Sequence, residues 1–220
     1  VAHYLEHKMF DLPGDRDVSA EFASMGAMTN AFTSYDMTAY YFSCTENFPK
    51  ALDLLLEFVS TPYFTDETVQ KEQGIIGQEI DMNRDNPDTQ IFEMLMENMY
   101  ENHPIRVPIL GTRESIRQIT PQLLYTCHRA FYTPDNMILC VVGDVDPEKI
   151  RATASRLLPK DSGEVPGRDY GPEESLLPRR PRFYRSMEVS SPQFMLGCKI
   201  RPENQGARSL RQKLLAGAAL

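Results

Sequence analysis

The chain has 220 residues, 41% of them hydrophobic and 25% charged, with a net charge of −8. This is enough for a buried core of ordinary globular composition. The acidic balance argues against a nucleic-acid binder, which carries a basic stripe, and no apolar run approaches the roughly 18 residues that span a bilayer.

The first ten residues, VAHYLEHKMF, read as a helix that ends before the turn pair Pro13-Gly14. A second helix follows, capped by Asp15 or Asp17, with Val18, Phe22 and Met25 on one face and Gly26 as its stop. Two strand-like runs, Met28 to Ser34 and Thr38 to Thr45, flank a Tyr35-Asp36 turn and predict a hairpin. Pro49 starts a helix that buries Ala51, Leu52, Leu55, Leu56 and Val59. Thr65 caps a long helix that carries Glu72 and Glu79 on one face and is interrupted by Gly74 and Gly77. Small residues there would let another group approach closely. Asn86-Pro87 ends it, and Asp88 opens a helix with Ile91, Leu95 and Met99 inward. Thr120-Pro121 begins another, then MILCVVG reads as a strand and Asp146-Pro147 starts a helix to Leu158. From Lys160 to Pro181 proline, glycine and charge mix without period, as in a linker. Beyond it FYRSMEV and QFMLGCKI read as strands, and Ser209 to Leu220 as a helix.

The chemistry concentrates at the start. His3 and His7, four residues apart, share a helix face and can hold one metal ion, and the intervening Glu6 can reach a metal-bound water. Imidazole ligands in this pattern, H-x-x-E-H, favour zinc. Catalytic zinc takes three protein ligands and keeps a fourth position for water, so a third ligand is expected elsewhere. Glu79 and Glu72 are candidates, but spacing alone does not select Glu79 from the chain's many acids. His103 and His128 read as structural, and the Met-rich run at Met94, Met96 and Met99 reads as core. The cysteines Cys44, Cys127, Cys140 and Cys198 form no C-x-x-C pair and read as free buried thiols of a reducing compartment.

VAHYLEH, NAFTSYDMTAYYF, EQGIIGQEIDM and YTPDNMILCVVGDVDPEKI resemble, in this order, the pitrilysin/insulinase family of zinc peptidases, to which the mitochondrial processing peptidase belongs. The turn HKMFDLPGD and the run GIIGQEI look most like bacterial members. The resemblance implies an α/β (α+β) fold, an antiparallel-rich sheet with helices packed on it. It implies His3, His7 and Glu79 as ligands of one zinc ion, Glu6 as general base, and Glu72 as a second acid supporting the site. Asn30, Ala31, Phe32 and Thr33 match the strand that pairs with an extended substrate backbone. It further implies a zinc metallopeptidase domain over 1–159, lacking its first strand, a linker over 160–181, and over 182–220 the start of a second domain of similar fold.

The expectation is thus a cytoplasmic bacterial zinc endopeptidase, or a fragment of one, that cleaves extended peptides. A second family subunit or a homodimer would complete its cleft, with no nucleic acid or membrane as partner. The family's second half supplies an arginine and a tyrosine near the scissile bond, and neither is identifiable here. The rivals are a non-catalytic partner subunit of the same fold and a peptide-binding module.

Overall fold

A computed structural model describes residues 1–14, 16–160 and 165–199. The chain divides into two compact units, one comprising Val1–Asp81 and Ile109–Arg168, the other Met82–Pro108 and Asp169–Leu220. The fold is mixed α/β, with an antiparallel sheet and packed helices.

In the first unit, α1 (Ala2–Lys8) ends on His7 and Lys8, cations that suit the negative end of a helix dipole. Lys8 is only 1% exposed and pairs with the Asp11 carboxylate. A short hairpin of β1 (Asp11–Leu12) and β2 (Arg16–Asp17) leads into α2 (Val18–Ser24). Asp17 caps α2 by accepting from the Ser19 and Ala20 amides, and Gly26 leaves the helix at φ +72°, where a glycine is at ease. The predicted hairpin forms between β3 (Met28–Thr33) and β4 (Thr38–Ser43), in register Asn30 to Tyr41 and Thr33 to Thr38. Helix α3 (Phe48–Ser60) buries Ala51, Leu52, Leu55, Leu56 and Val59 as its spacing requires.

Helix α4 (Asp66–Asp85) starts at a reciprocal pair of bonds between Thr65 and Thr68. The core gathers Tyr4 and Leu5 of α1, Phe22 of α2, Phe58 of α3, and Val69, Ile76 and Ile80 of α4. Phe58 meets the rings of Phe22 and Tyr40 edge-on. The Tyr4 hydroxyl donates to the Val69 carbonyl at 2.5 Å, which ties α1 to the first turn of α4. This bond and the shared apolar core bring two helices distant in sequence side by side.

The second unit contains α5 (Pro87–Met99), capped by the Asn86 side chain, and the extended segment from Asp169. Asn86, rather than the expected Asp88, caps this helix, and Gln90 and Asn98 are buried beside Met99, while Ile91 and Leu95 are half-buried. The Arg180 amide donates to the Asn98 carbonyl at 2.9 Å, and the stacked rings of His103 and Tyr170 join the same two stretches. The first unit is completed by α6 (Arg113–Ile116), α7 (Pro121–Phe131) and α8 (Pro147–Leu157).

Three expected strands do not form. MILCVVG is extended without a ladder, and its Ile138 and Val142 are 95% and 94% exposed. FYRSMEV and the described part of QFMLGCKI are likewise unpaired, with Tyr184 and Phe194 exposed. The residue types suit a pleated surface, but a strand exists only where a neighbour supplies hydrogen bonds, and none does so among the described residues. The expected helix from Ser209 to Leu220 lies outside the described residues.

Candidate metal centre

One turn of α1 presents both histidines on the same side, their ring centroids 4.6 Å apart. From α4, Glu79 Oε2 reaches within 3.6 Å of His3 Nε2 and 3.6 Å of His7 Nε2. These donors lie within 4.8 Å of one another, close enough to share one ion. Glu79 Oε2 is buried and has no hydrogen-bond partner, and neither has His3 Nδ1. A buried carboxylate oxygen without a donor is rare and calls for an explanation. A cation among these three donors supplies one, and two imidazoles with one carboxylate suit zinc.

The rest of the site is arranged around that triangle. His7 Nδ1 lies 2.9 Å from Glu72 Oε1. A proton on Nδ1 donated to that carboxylate leaves the Nε2 lone pair for a metal, the usual way an acid fixes a ligand's tautomer. Burial, followed by the proximity of His7, lowers the pKa of His3 to about 4, which keeps its ring neutral. The hydrogen bond that His7 donates to Glu72 raises the pKa of His7, with burial opposing it. Glu6 points to β3, where its Oε2 accepts from the Thr33 hydroxyl, and Thr33 in turn meets Thr38 at 3.2 Å. Burial raises the Glu6 pKa, and the Thr33 bond works against it.

Each expected site residue can therefore be located. His3, His7 and Glu79 come together, Glu72 stands behind His7, and Glu6 sits beside the strand. Asn30 and Phe32 are exposed on β3, and Ala31 and Thr33 are half-buried. The Ala31 amide donates to the Asn30 side chain at 2.8 Å. Thr33 thus faces the Glu6 carboxylate, a pairing that no local sequence pattern announces. His128 is buried with Nε2 donating to the Val59 carbonyl at 3.0 Å, and His103 accepts from the Ile105 amide, so both serve structure.

Residues 1–113 match the family profile described as insulinase, peptidase family M16. The chain belongs to that family. Residues 118–218 match a second profile of the same family, described as the M16 inactive domain. A Bacillus subtilis protein described as the uncharacterized zinc protease YmfH is 42% identical over 219 residues, 97% of this chain and 50% of that protein. An uncharacterized zinc protease of Rickettsia felis is 34% identical over 161 residues, 71% of this chain and 39% of that one. The solved M16-like peptidase of Alicyclobacillus acidocaldarius superposes with a TM-score of 0.79 at 43% identity, covering 86% of this chain and 45% of that one. The chain thus spans half or less of the length of these relatives.

The comparisons correct the cytoplasmic placement. The first half of the periplasmic protease PqqL of Escherichia coli matches with a TM-score of 0.64 at 26% identity, over 77% of this chain and 39% of that one. A fold shared with a periplasmic enzyme does not support a cytoplasmic location. The thiols expected to be buried are not: Cys44 and Cys127 are half-buried and Cys140 and Cys198 exposed, and their being free records only that no disulfide forms among them. Among the described residues no helix is long and apolar enough to cross a membrane.

Proposed function

We propose that this chain is the zinc-binding part of an endopeptidase that hydrolyses extended peptides or unfolded segments. His3, His7 and Glu79 hold the metal, Glu6 is the general base, and Glu72 is a positioning residue acting through His7. The observation that carries the reading is the buried, partnerless Glu79 oxygen between two imidazole nitrogens. When bound, zinc lowers the pKa of a coordinated water from 15.7 toward about 7 and polarises a carbonyl. Glu6 takes the proton of the attacking water and passes it to the leaving amine. Thr33 holds one Glu6 oxygen, which limits the orientations the carboxylate can take. The strand from Asn30 to Thr33 pairs with the substrate backbone, with main-chain bonds giving affinity and pockets reading alternate side chains.

A metallopeptidase domain over 1–159, a linker over 160–181 and a second domain beginning at 182 belong to the same proposal. So does completion of the cleft by a second family subunit, by a further half of the same chain, or by a homodimer.

Zinc per chain, measured after gel filtration without chelator, tests the site, and peptide cleavage by the completed protein tests the activity. Glu6→Gln is expected to keep zinc and lose turnover by at least roughly 10²–10⁴-fold. Cleavage that continues in Glu6→Gln, or in excess chelator, would sink the mechanism. Peptide affinity that survives chelation, with no product by mass spectrometry, would identify a binding module instead.

A further inference from the structure

Glycine inside a helix is unfavourable relative to alanine, so Gly74 and Gly77 of α4 each call for a reason. Around Gly74 a side chain would meet nothing within 4 Å. At Gly77 an added Cβ would lie 2.6 Å from Arg113 Nη1 and 3.2 Å from its Cζ, so the guanidinium occupies the space a side chain would need. The same guanidinium grips Asp81, with Nε donating to Oδ1 at 3.1 Å and Nη2 to Oδ2 at 2.5 Å. Gly77 and Asp81 are four residues apart and share one face of α4. Glu79 lies two residues from each, about 200° round the helix, and so on the opposite side.

We infer that Arg113 is a positioning residue that clamps the back of α4, through Gly77 and Asp81, so that Glu79 on its front meets His3 and His7. The inference rests on the zinc reading of that cluster. The clamp has a firm base. Thr112 and Ser115 bond each other's amides and fix the start of α6, and Ile116 and Ile119 are buried in the core. An exposed ion pair contributes little stability by itself. A two-point fork on one carboxylate fixes position instead, and lysine does not reproduce that geometry.

The test is zinc affinity of the purified chain by competition with a chromophoric chelator, beside the melting temperature of the metal-free chain. Glu79→Ala serves as the control for the metal reading. Arg113→Ala and Gly77→Ala are each expected to weaken zinc binding about three- to tenfold, less than the 10–100-fold of a group bonded directly to a ligand. Gly77→Ala leaves the arginine in the chain and displaces it. Added to Arg113→Ala, it should therefore cost no further affinity and should raise the metal-free melting temperature, since alanine favours the helix. Arg113→Lys should behave like Arg113→Ala. Wild-type affinity in both single variants, or losses that multiply in the double variant, would overturn the clamp. So would affinity losses that only parallel a falling melting temperature. Hydrogen exchange of the amides from Ile76 to Asp81 reads the clamp without metal. If the wild-type chain took up no zinc, the metal reading would fall, and unchanged exchange in both single variants would dispose of the clamp separately.

Discussion

Two carboxylates in this chain show opposite solutions to the same problem. Glu174, in the second unit, accepts from the backbone amides of Glu101, Asn102 and His103, and Lys199 Nζ lies 3.0 Å from its other oxygen. Desolvation pushes its pKa up, but the His103 and Asn102 amides, Lys199 and the Glu101 amide outweigh it and bring the group to about 2. Glu79, in the first unit, has a buried oxygen with no donor and two imidazole nitrogens 3.6 Å away. A carboxylate whose lone pairs are all used is a piece of architecture. One whose buried lone pair meets no donor, beside two imidazole nitrogens, has the geometry of a candidate cation ligand.

The largest effect expected from this contrast is at Glu79. Glu79→Ala removes one of three donors, and zinc affinity by chelator competition should fall well beyond the roughly 10–100-fold that an outer partner costs. Retained affinity would remove Glu79 from the ligand set. Next in size is the metal itself. At free zinc about 100 times the dissociation constant, the folded state gains about 2.7 kcal/mol, so chelation should lower the melting temperature by several degrees. An identical melting curve in chelator would mean that no metal is bound. Glu72→Gln comes third, with zinc affinity about 10–100-fold weaker, because the His7 tautomer is no longer fixed by a carboxylate.

The smallest effect belongs to Glu174. Its folded pKa, about 2, lies below the ordinary 4.5. Its stabilising contribution is therefore complete above about 4.5 and fades as the pH falls toward 2. Urea midpoints followed down through that window should decline less steeply in Glu174→Gln than in wild type. Equal slopes would show that the Glu101 to His103 loop does not depend on this charge.

Much of the candidate site was legible because it is written in local periods. His3 and His7 share a helix face whatever the rest of the chain does, and Asp17, Thr65 and Thr120 cap helices from side chains beside the bonds they make. The hairpin from Met28 to Ser43 followed from alternation around a short turn. The unpaired strand-like runs at 137–143 and 183–189 mark where that logic stops, since pleated-surface residues do not carry the hydrogen-bonding neighbour with them. The buried stripe of α5 shifted for a related reason. Gln90 and Asn98 tolerate burial because Gln90 donates to the Asn83 carbonyl and Asn98 to the Met94 carbonyl, which no apolar period encodes.

By itself the sequence determined the paired histidines, the glutamate between them, the caps at Thr65 and Thr120 and the central hairpin, because each depends on residues a few positions apart. Family resemblance pointed to Glu79, but periodicity did not single it out. Only the tertiary structure brought Glu79 to His3 and His7, placed Glu72 behind one ring and Thr33 against Glu6, and filled the notch at Gly77 with Arg113. These meetings depend on how α1, α4, α6 and the hairpin pack on one core, and packing of distant segments is set by their joint shape rather than by any local pattern.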